Sequence, residues 1–197
     1  MGLPVTTMGG QPINIDFDEL SHDYHRYIYK VEHCEADWTT SEQLFESDYI
    51  SGFHDDNTID DYEESLSTYQ LYTHYSLSIP NEKMRLTMSG NYRLTVMDNN
   101  NNDEPVFTVC FMVCENTAGI TLECFTNTDA DINGRHQQIN MQVSYGKLNV
   151  TAPAEQLRTV VLQNQRWDNA VLHPKPQFVS RDGERWEHCR ELIFLAG

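Results

Sequence analysis

The residues best spaced for chemistry are Asp129, Asp131, Asn133 and Gly134, which open like a calcium loop, Asp-x-Asp-x-Asn-Gly. Such a loop sets oxygens at alternate positions and uses glycine for its sharp turn. Its twelfth position should be a bidentate glutamate and is Asn140 here, and the flanks read as strands instead of helices. An Asx-rich connector is the simpler reading; a calcium-stabilised structural domain is the function the loop would otherwise imply. The eight histidines are scattered, and no HExxH, GxSxG, P-loop or GxGxxG pattern occurs. His33-Cys34 and His188-Cys189 are adjacent pairs, but neighbours on a strand point to opposite faces and cannot share a metal or form a dyad. Thirty carboxylates could hold an acid/base pair for glycoside hydrolysis, yet nothing in their spacing selects two. A solvated acidic face is their default reading. No catalytic residue, metal ligand or cofactor is therefore assigned.

The segment from Cys34 to Tyr62 differs in kind. It is long, poor in strand pattern, and sets Trp38, Phe45, Tyr49, Phe53 and Tyr62 among carboxylates. Long loops without structure of their own inside small domains are usually functional or disordered, and regularly placed aromatics argue against disorder. Aromatics among charges suit protein recognition or a carbohydrate platform. The candidates for a partner surface are Trp38, Phe45, Tyr49, Phe53, Asp55, Asp56, Asp60 and Asp61. The structural alternative is a loop that covers one end of the domain with its own small core.

The elements that must carry these residues are strands. Tyr27, Tyr29 and Val31 alternate with polar neighbours, as do Tyr92, Leu94 and Val96, and Phe107, Val109, Phe111 and Val113. Further strands are predicted over Ile13 to Phe17, Leu71 to Ile79, Met84 to Met88, Ile120 to Phe125, Ile139 to Val143, Leu157 to Leu162 and Glu191 to Leu195. Breakers separate them: Gly9-Gly10, Ser89-Gly90-Asn91, and Asp98 to Pro105 with four consecutive asparagines. No 12-residue window carries a helical stripe. The pattern reads as all-β, with a β-sandwich first. Ser89-Gly90-Asn91-Tyr92 resembles the turn that enters a late strand of immunoglobulin-like and fibronectin III-like sandwiches, where a tyrosine hydroxyl satisfies nearby backbone and its ring enters the core. Tyr92 is read as a fold residue.

Charge divides the chain. Residues 1–116 hold 21 acidic and 5 basic residues, and 117–197 hold 9 and 8. The prediction is a strongly acidic sandwich over 1–116, a short link at Glu115 to Gly119, and a second β unit over 117–197 that is small or cut short. The net charge of −17 excludes nucleic acid, whose phosphates need a surplus of Lys and Arg, and opposes docking on anionic lipid. No apolar run reaches membrane-spanning length, so no direct membrane insertion is expected. Met1 to Gln11 has neither a basic start nor an apolar stretch of signal-peptide length, which leaves both a cytosolic chain and one that begins after a removed signal open. Five cysteines leave at least one thiol unpaired within the chain, and Cys110 and Cys114 stand roughly 13 Å apart if they share a strand, too far for a disulfide.

Several motifs carry a family resemblance. They are Tyr29-Lys30-Val31-Glu32-His33-Cys34-Glu35-Ala36-Asp37-Trp38, Ser47-Asp48-Tyr49-Ile50-Ser51-Gly52-Phe53, and Ile59-Asp60-Asp61-Tyr62. Tyr72 to Glu82, Ser89-Gly90-Asn91-Tyr92 and Val160 to Asn169 continue the series. Together, over roughly residues 10–197, they resemble the plug protein of the Bacteroidota type IX secretion system. The resemblance implies a periplasmic, outer-membrane-associated protein with an immunoglobulin- or fibronectin III-like first domain followed by further β structure. It would bind the periplasmic side of a very large outer-membrane β-barrel translocon protein and close its pore when no substrate passes. It brings no catalytic residue or cofactor. Family members begin with an export signal and continue past the point equivalent to Leu192 to Gly197, so the expectation is a mature fragment or a truncated form. The rival from the residues alone is a carbohydrate-binding or accessory β-sandwich domain of a polysaccharide-degrading system.

Overall fold

The computed structural model describes residues 3–21 and 25–196. Two compact units emerge, one over Leu3–Glu115 and one beginning at Asn116. The first contains β1 (Val5–Thr7), β2 (Ile13–Glu19), β3 (Tyr27–Cys34), the single-turn helix α1 (Glu46–Tyr49), β4 (Ile50–Gly52), β5 (Asn57–Thr58), β6 (Asp61–Glu64), β7 (Thr73–Ile79), β8 (Met84–Leu86), β9 (Gly90–Asp98) and β10 (Glu104–Cys114). One sheet runs β1-β10-β9-β3-β5 and a second runs β2-β7-β6, with β4 and β8 paired separately. Among the described residues of this unit β1 pairs parallel with β10, and the other strand pairs are antiparallel.

The period-2 pattern decides which faces meet. Tyr27, Tyr29, Val31, Tyr92, Leu94, Val96, Phe111 and Val113 from the first sheet share one buried cluster with Ile13, Ile15, Tyr75, Leu77 and Ile79 from the second. That is a sandwich core, with Thr95 and Thr108 on the outer side of their strands at 3.4 Å. Phe17, Tyr27 and Tyr75 close one region of it with centroids 4.9 to 5.3 Å apart, each such pair adding about 0.5–1.5 kcal/mol beyond area burial. Tyr92 is fully buried, and its hydroxyl donates to the Met88 carbonyl at 2.6 Å, the role read from its turn.

The second unit contains β11 (Gly119–Phe125), β12 (His136–Ser144), a helical turn α2 (Pro153–Gln156), β13 (Val160–Val161), β14 (Val171–Leu172), β15 (Phe178–Val179), β16 (Gly183–Trp186) and β17 (Ile193–Leu195). Its main sheet runs β11-β12-β16-β15, with β17 also on β12. Ile139, Met141 and Val143 share one face of β12, and Met141 packs with Val161, Trp186, Cys189, Leu192 and Phe194 in a small core. Trp186 is buried because its indole N–H finds the Pro174 carbonyl at 2.8 Å.

Several predicted extents shift. Leu157 to Leu162 forms strand only at Val160–Val161, because Pro153 starts a helical turn just before it. Glu191 and Leu192 lie in a 3-10 turn that leads into β17. β5, β6, β14, β15 and β16 carry no readable alternation; β6, Asp-Tyr-Glu-Glu, is exposed throughout.

Candidate functional site

The segment after β3 is pinned to the sandwich residue by residue. Cys34 bridges Thr40 across a tight loop in which Glu35 and Thr39 bond and Trp38 takes φ +69°. Asp37 accepts from both the backbone and the hydroxyl of Thr39, which holds its carboxyl below the usual range. Arg93 on β9 reaches the loop from the side, donating to Glu32 at 3.0 Å and to the Thr40 hydroxyl at 2.7 Å. Beneath them His33 bonds Ser41 at 2.8 Å and packs its ring against Tyr49 and Tyr92.

The turn α1 then sorts two aromatics. The Phe45 N–H donates to the Asp48 carboxylate at 2.8 Å, closing a first turn with its acidic residues at the positive end. One turn later Tyr49 drops into the core at 4% exposure, while Phe45 stays outside at 79%. Ile50 follows Tyr49 inward and pairs with Leu86. At Gly52, φ is +116° and any Cβ would stand 2.2 Å from the Lys83 carbonyl oxygen, so only glycine lets β4 approach β8 this closely. Phe53 hangs from that contact, its N–H donating to the same carbonyl and its ring 69% exposed.

Lys83 also organises the far end. Its ammonium donates to the carbonyl and hydroxyl of Thr58 at 3.0 Å and to Asp60, which lowers the Asp60 carboxyl. Asn57 ties this stretch to the Phe53 carbonyl at 3.0 Å. Asp55, Asp56 and Asp61 are exposed, and among the described residues none of them is in an ion pair.

Of the eight predicted surface residues, Phe45, Phe53, Asp55, Asp56, Asp60 and Asp61 are therefore exposed, Trp38 is half-buried, and Tyr49 is a correction: it is a core residue. Glu63 and Glu64 on β6 extend the acidic stretch. Sequence reading passed over Lys83, whose partners lie 23 to 25 residues away, and no local signal marks it. The segment is no separate cap with a core of its own, since Tyr49, Ile50 and Ile59 belong to the main cluster.

The other chemical candidates are engaged inside the fold. Asp129 accepts from Gln138 at 2.7 Å and pairs with His188 at 3.0 Å, while Asp131 pairs with His136 at 2.6 Å, so the calcium-like loop works as a connector between β11 and β12. Asn140, its twelfth position, accepts from the His188 N–H. His188 is exposed and Cys189 is buried in the second core. Among the described residues no three His, Cys, Asp or Glu side chains come together to hold a metal ion. All five cysteines are free thiols, with Cys110 and Cys114 on β10. No helix among the described residues is long and apolar enough to cross a membrane. The arrangement is suited to binding: a rigid all-β body with an ordered, acid- and aromatic-bearing surface segment.

The model of the family described as type 9 secretion system plug protein 1st domain matches residues 1–115. The chain belongs to that family. No curated protein matches it. Among solved structures it is similar to a hypothetical protein from Parabacteroides merdae, with 37% identity and a TM-score of 0.89 over 98% of this chain. The chain spans 49% of that protein's length.

Proposed function

We propose that the chain is a non-enzymatic binding and gating module that docks on the periplasmic face of a large outer-membrane β-barrel translocon protein and helps to close its pore. The single observation that carries this reading is the plug-family match over the unit that bears the acidic segment. The geometry supports it in a specific way. A plug needs a stiff body and a partner-matched surface, and here Phe45, Phe53, Asp55, Asp56 and Asp61 project from backbone fixed by Gly52, Lys83 and the Tyr49–Ile50 anchor. Such a surface suits a basic collar with apolar recesses, and long-range attraction across it is screened by salt.

We read the body as immunoglobulin-like. The order β2-β7-β6 against β10-β9-β3 is that of strands B-E-D and G-F-C, and Tyr92 stands near the start of the strand equivalent to F. The test is co-purification of the tagged chain with detergent-solubilised outer membrane from a Bacteroidota species that has this secretion system. Recovery of one very large barrel protein, weakened by Asp55→Lys, Asp56→Lys and Asp61→Lys together, supports the reading. Recovery of no barrel protein by the folded chain overturns it.

A further inference from the structure

Carboxylates are almost never buried without a partner, and Glu184 departs from that rule. It sits on β16 between Val143 of β12 and Val179 of β15, with 7% exposure. Alternation puts its side chain on the face that carries Trp186, the core face of the second unit. Among the described residues no hydrogen bond or ion pair reaches its carboxyl group. Burial raises that carboxyl above the usual carboxylate range, with no donor to offset the effect. The Tyr145 hydroxyl, near enough to feel the Glu184 charge, is also buried without a hydrogen-bond partner among the described residues.

Glu184 lines a cavity of about 310 Å³, the size of a small-molecule site. Its wall is apolar and includes Leu157, Pro174, Pro176 and Trp186, the indole held in place by its bond to the Pro174 carbonyl. Arg158 and Lys175 line the same cavity. Both are exposed, and neither is in an ion pair among the described residues. Arg158 is steadied by the carbonyls of Ala154 and Leu157, to which its guanidinium donates at 3.2 and 3.3 Å. The cavity thus joins one unpaired buried carboxylate and two unpaired exposed cations across an apolar wall.

We propose that this cavity binds a small zwitterion with an apolar body, of the class of a free apolar α-amino acid. Its ammonium pairs with Glu184, its carboxylate with Arg158 and Lys175, and its side chain lies along Leu157 and Trp186. Each end of such a ligand answers a group that the fold leaves open. A plain anion would leave Glu184 unpaired beside a like charge, and a plain cation would meet Arg158 and Lys175. A wholly apolar ligand would cut the carboxylate off from water and raise its desolvation cost. Guanidinium and ammonium groups bind carboxylates through charge-assisted hydrogen bonds, the strong kind. The cavity lies outside the residues matched by the family model, and this inference is independent of the translocon reading.

NMR titration of the chain with L-leucine, followed at the Trp186 indole N–H, tests it. The expected result is a saturable shift with a Kd on the order of a millimolar or below. N-acetyl-L-leucine, which lacks the ammonium, and L-leucinamide, which lacks the carboxylate, each bind roughly tenfold or more weakly. Glu184→Gln, close to the native shape, removes the preference for leucine over N-acetyl-L-leucine. Lys175→Ala, at an exposed position, narrows the preference for leucine over leucinamide while the spectrum of the free chain stays that of the folded protein. No shift with leucine, an equal response to leucine and N-acetyl-L-leucine, or a preference that survives Glu184→Gln overturns the proposal.

Discussion

The hydroxyl of Tyr92 donates to the carbonyl oxygen of Met88, 2.6 Å away, from a ring with no solvent exposure. This one bond fixes the turn that enters β9, and β9 is the strand on which both β3 and β10 pair. Tyr92→Phe keeps the ring and strands the carbonyl. It is expected to cost about 1 kcal/mol, read as a lower urea midpoint with an unchanged slope; an unchanged midpoint would contradict the assigned role.

Gly90 approaches the same ring system from the backbone. Its φ is +151°, and a Cβ there would stand 2.1 Å from Nε2 of His33, a ring packed against Tyr49 and Tyr92 and bonded through Nδ1 to Ser41. Gly90→Ala combines backbone strain with a clash that a packed ring cannot relieve. A loss of about 2–3 kcal/mol is expected, clearly more than for Gly134→Ala, whose Cβ meets nothing within 4 Å. Equal urea midpoints for the two variants would contradict this.

His74 Nδ1 lies 2.7 Å from an oxygen of Asp18 across the β2–β7 pair. Hydrogen bonding to that carboxylate raises the imidazole above its ordinary pKa. A raised folded-state value means the pair's contribution is complete below the unfolded pKa, about 6.5, and is lost as pH climbs through the folded one. In Asp18→Asn the His74 titration followed by NMR is expected to move down toward the ordinary value. A midpoint that stays in place would show that the carboxylate is not the cause.

Phe45 and Phe53 are expected to be thermodynamically idle in the isolated chain. Their rings are largely exposed, so Phe45→Ala and Phe53→Ala should each change stability by no more than about 0.5 kcal/mol. Tyr49→Ala, which empties a core position between His33 and Tyr92, should cost about 3–5 kcal/mol. Chemical denaturation of the three variants separates surface from core, and similar losses in all three would erase the distinction.

That contrast marks where sequence reading stops. The alternation in Tyr27 to Val31, Tyr92 to Val96 and Phe107 to Val113 was legible because those strands bury one face, and burial imposes period 2. β6 buries neither face and left no pattern. Phe45 and Tyr49 look alike as aromatics among carboxylates; Phe45 points outward from the extended N-cap of α1, and Tyr49, the last residue of the turn, enters the core. The role of Asp60 depends on Lys83, brought alongside by the β4–β8 pairing, a contact with no local trace. The acidic character of the segment was readable as composition, and its rigidity was not, because Gly52 and Lys83 act through tertiary approach.

In the proposed function Phe45 and Phe53, exposed on the first unit, face a translocon barrel. A photo-crosslinking phenylalanine analogue placed at position 45 or 53, in the chain exported to the periplasm of Bacteroidota cells that have the secretion system, tests this directly. The expected result is capture of a single very large outer-membrane barrel protein from both positions, with little or none from Ile132 in the second unit. Folded chain in the periplasm that captures no barrel protein from either position would contradict the account.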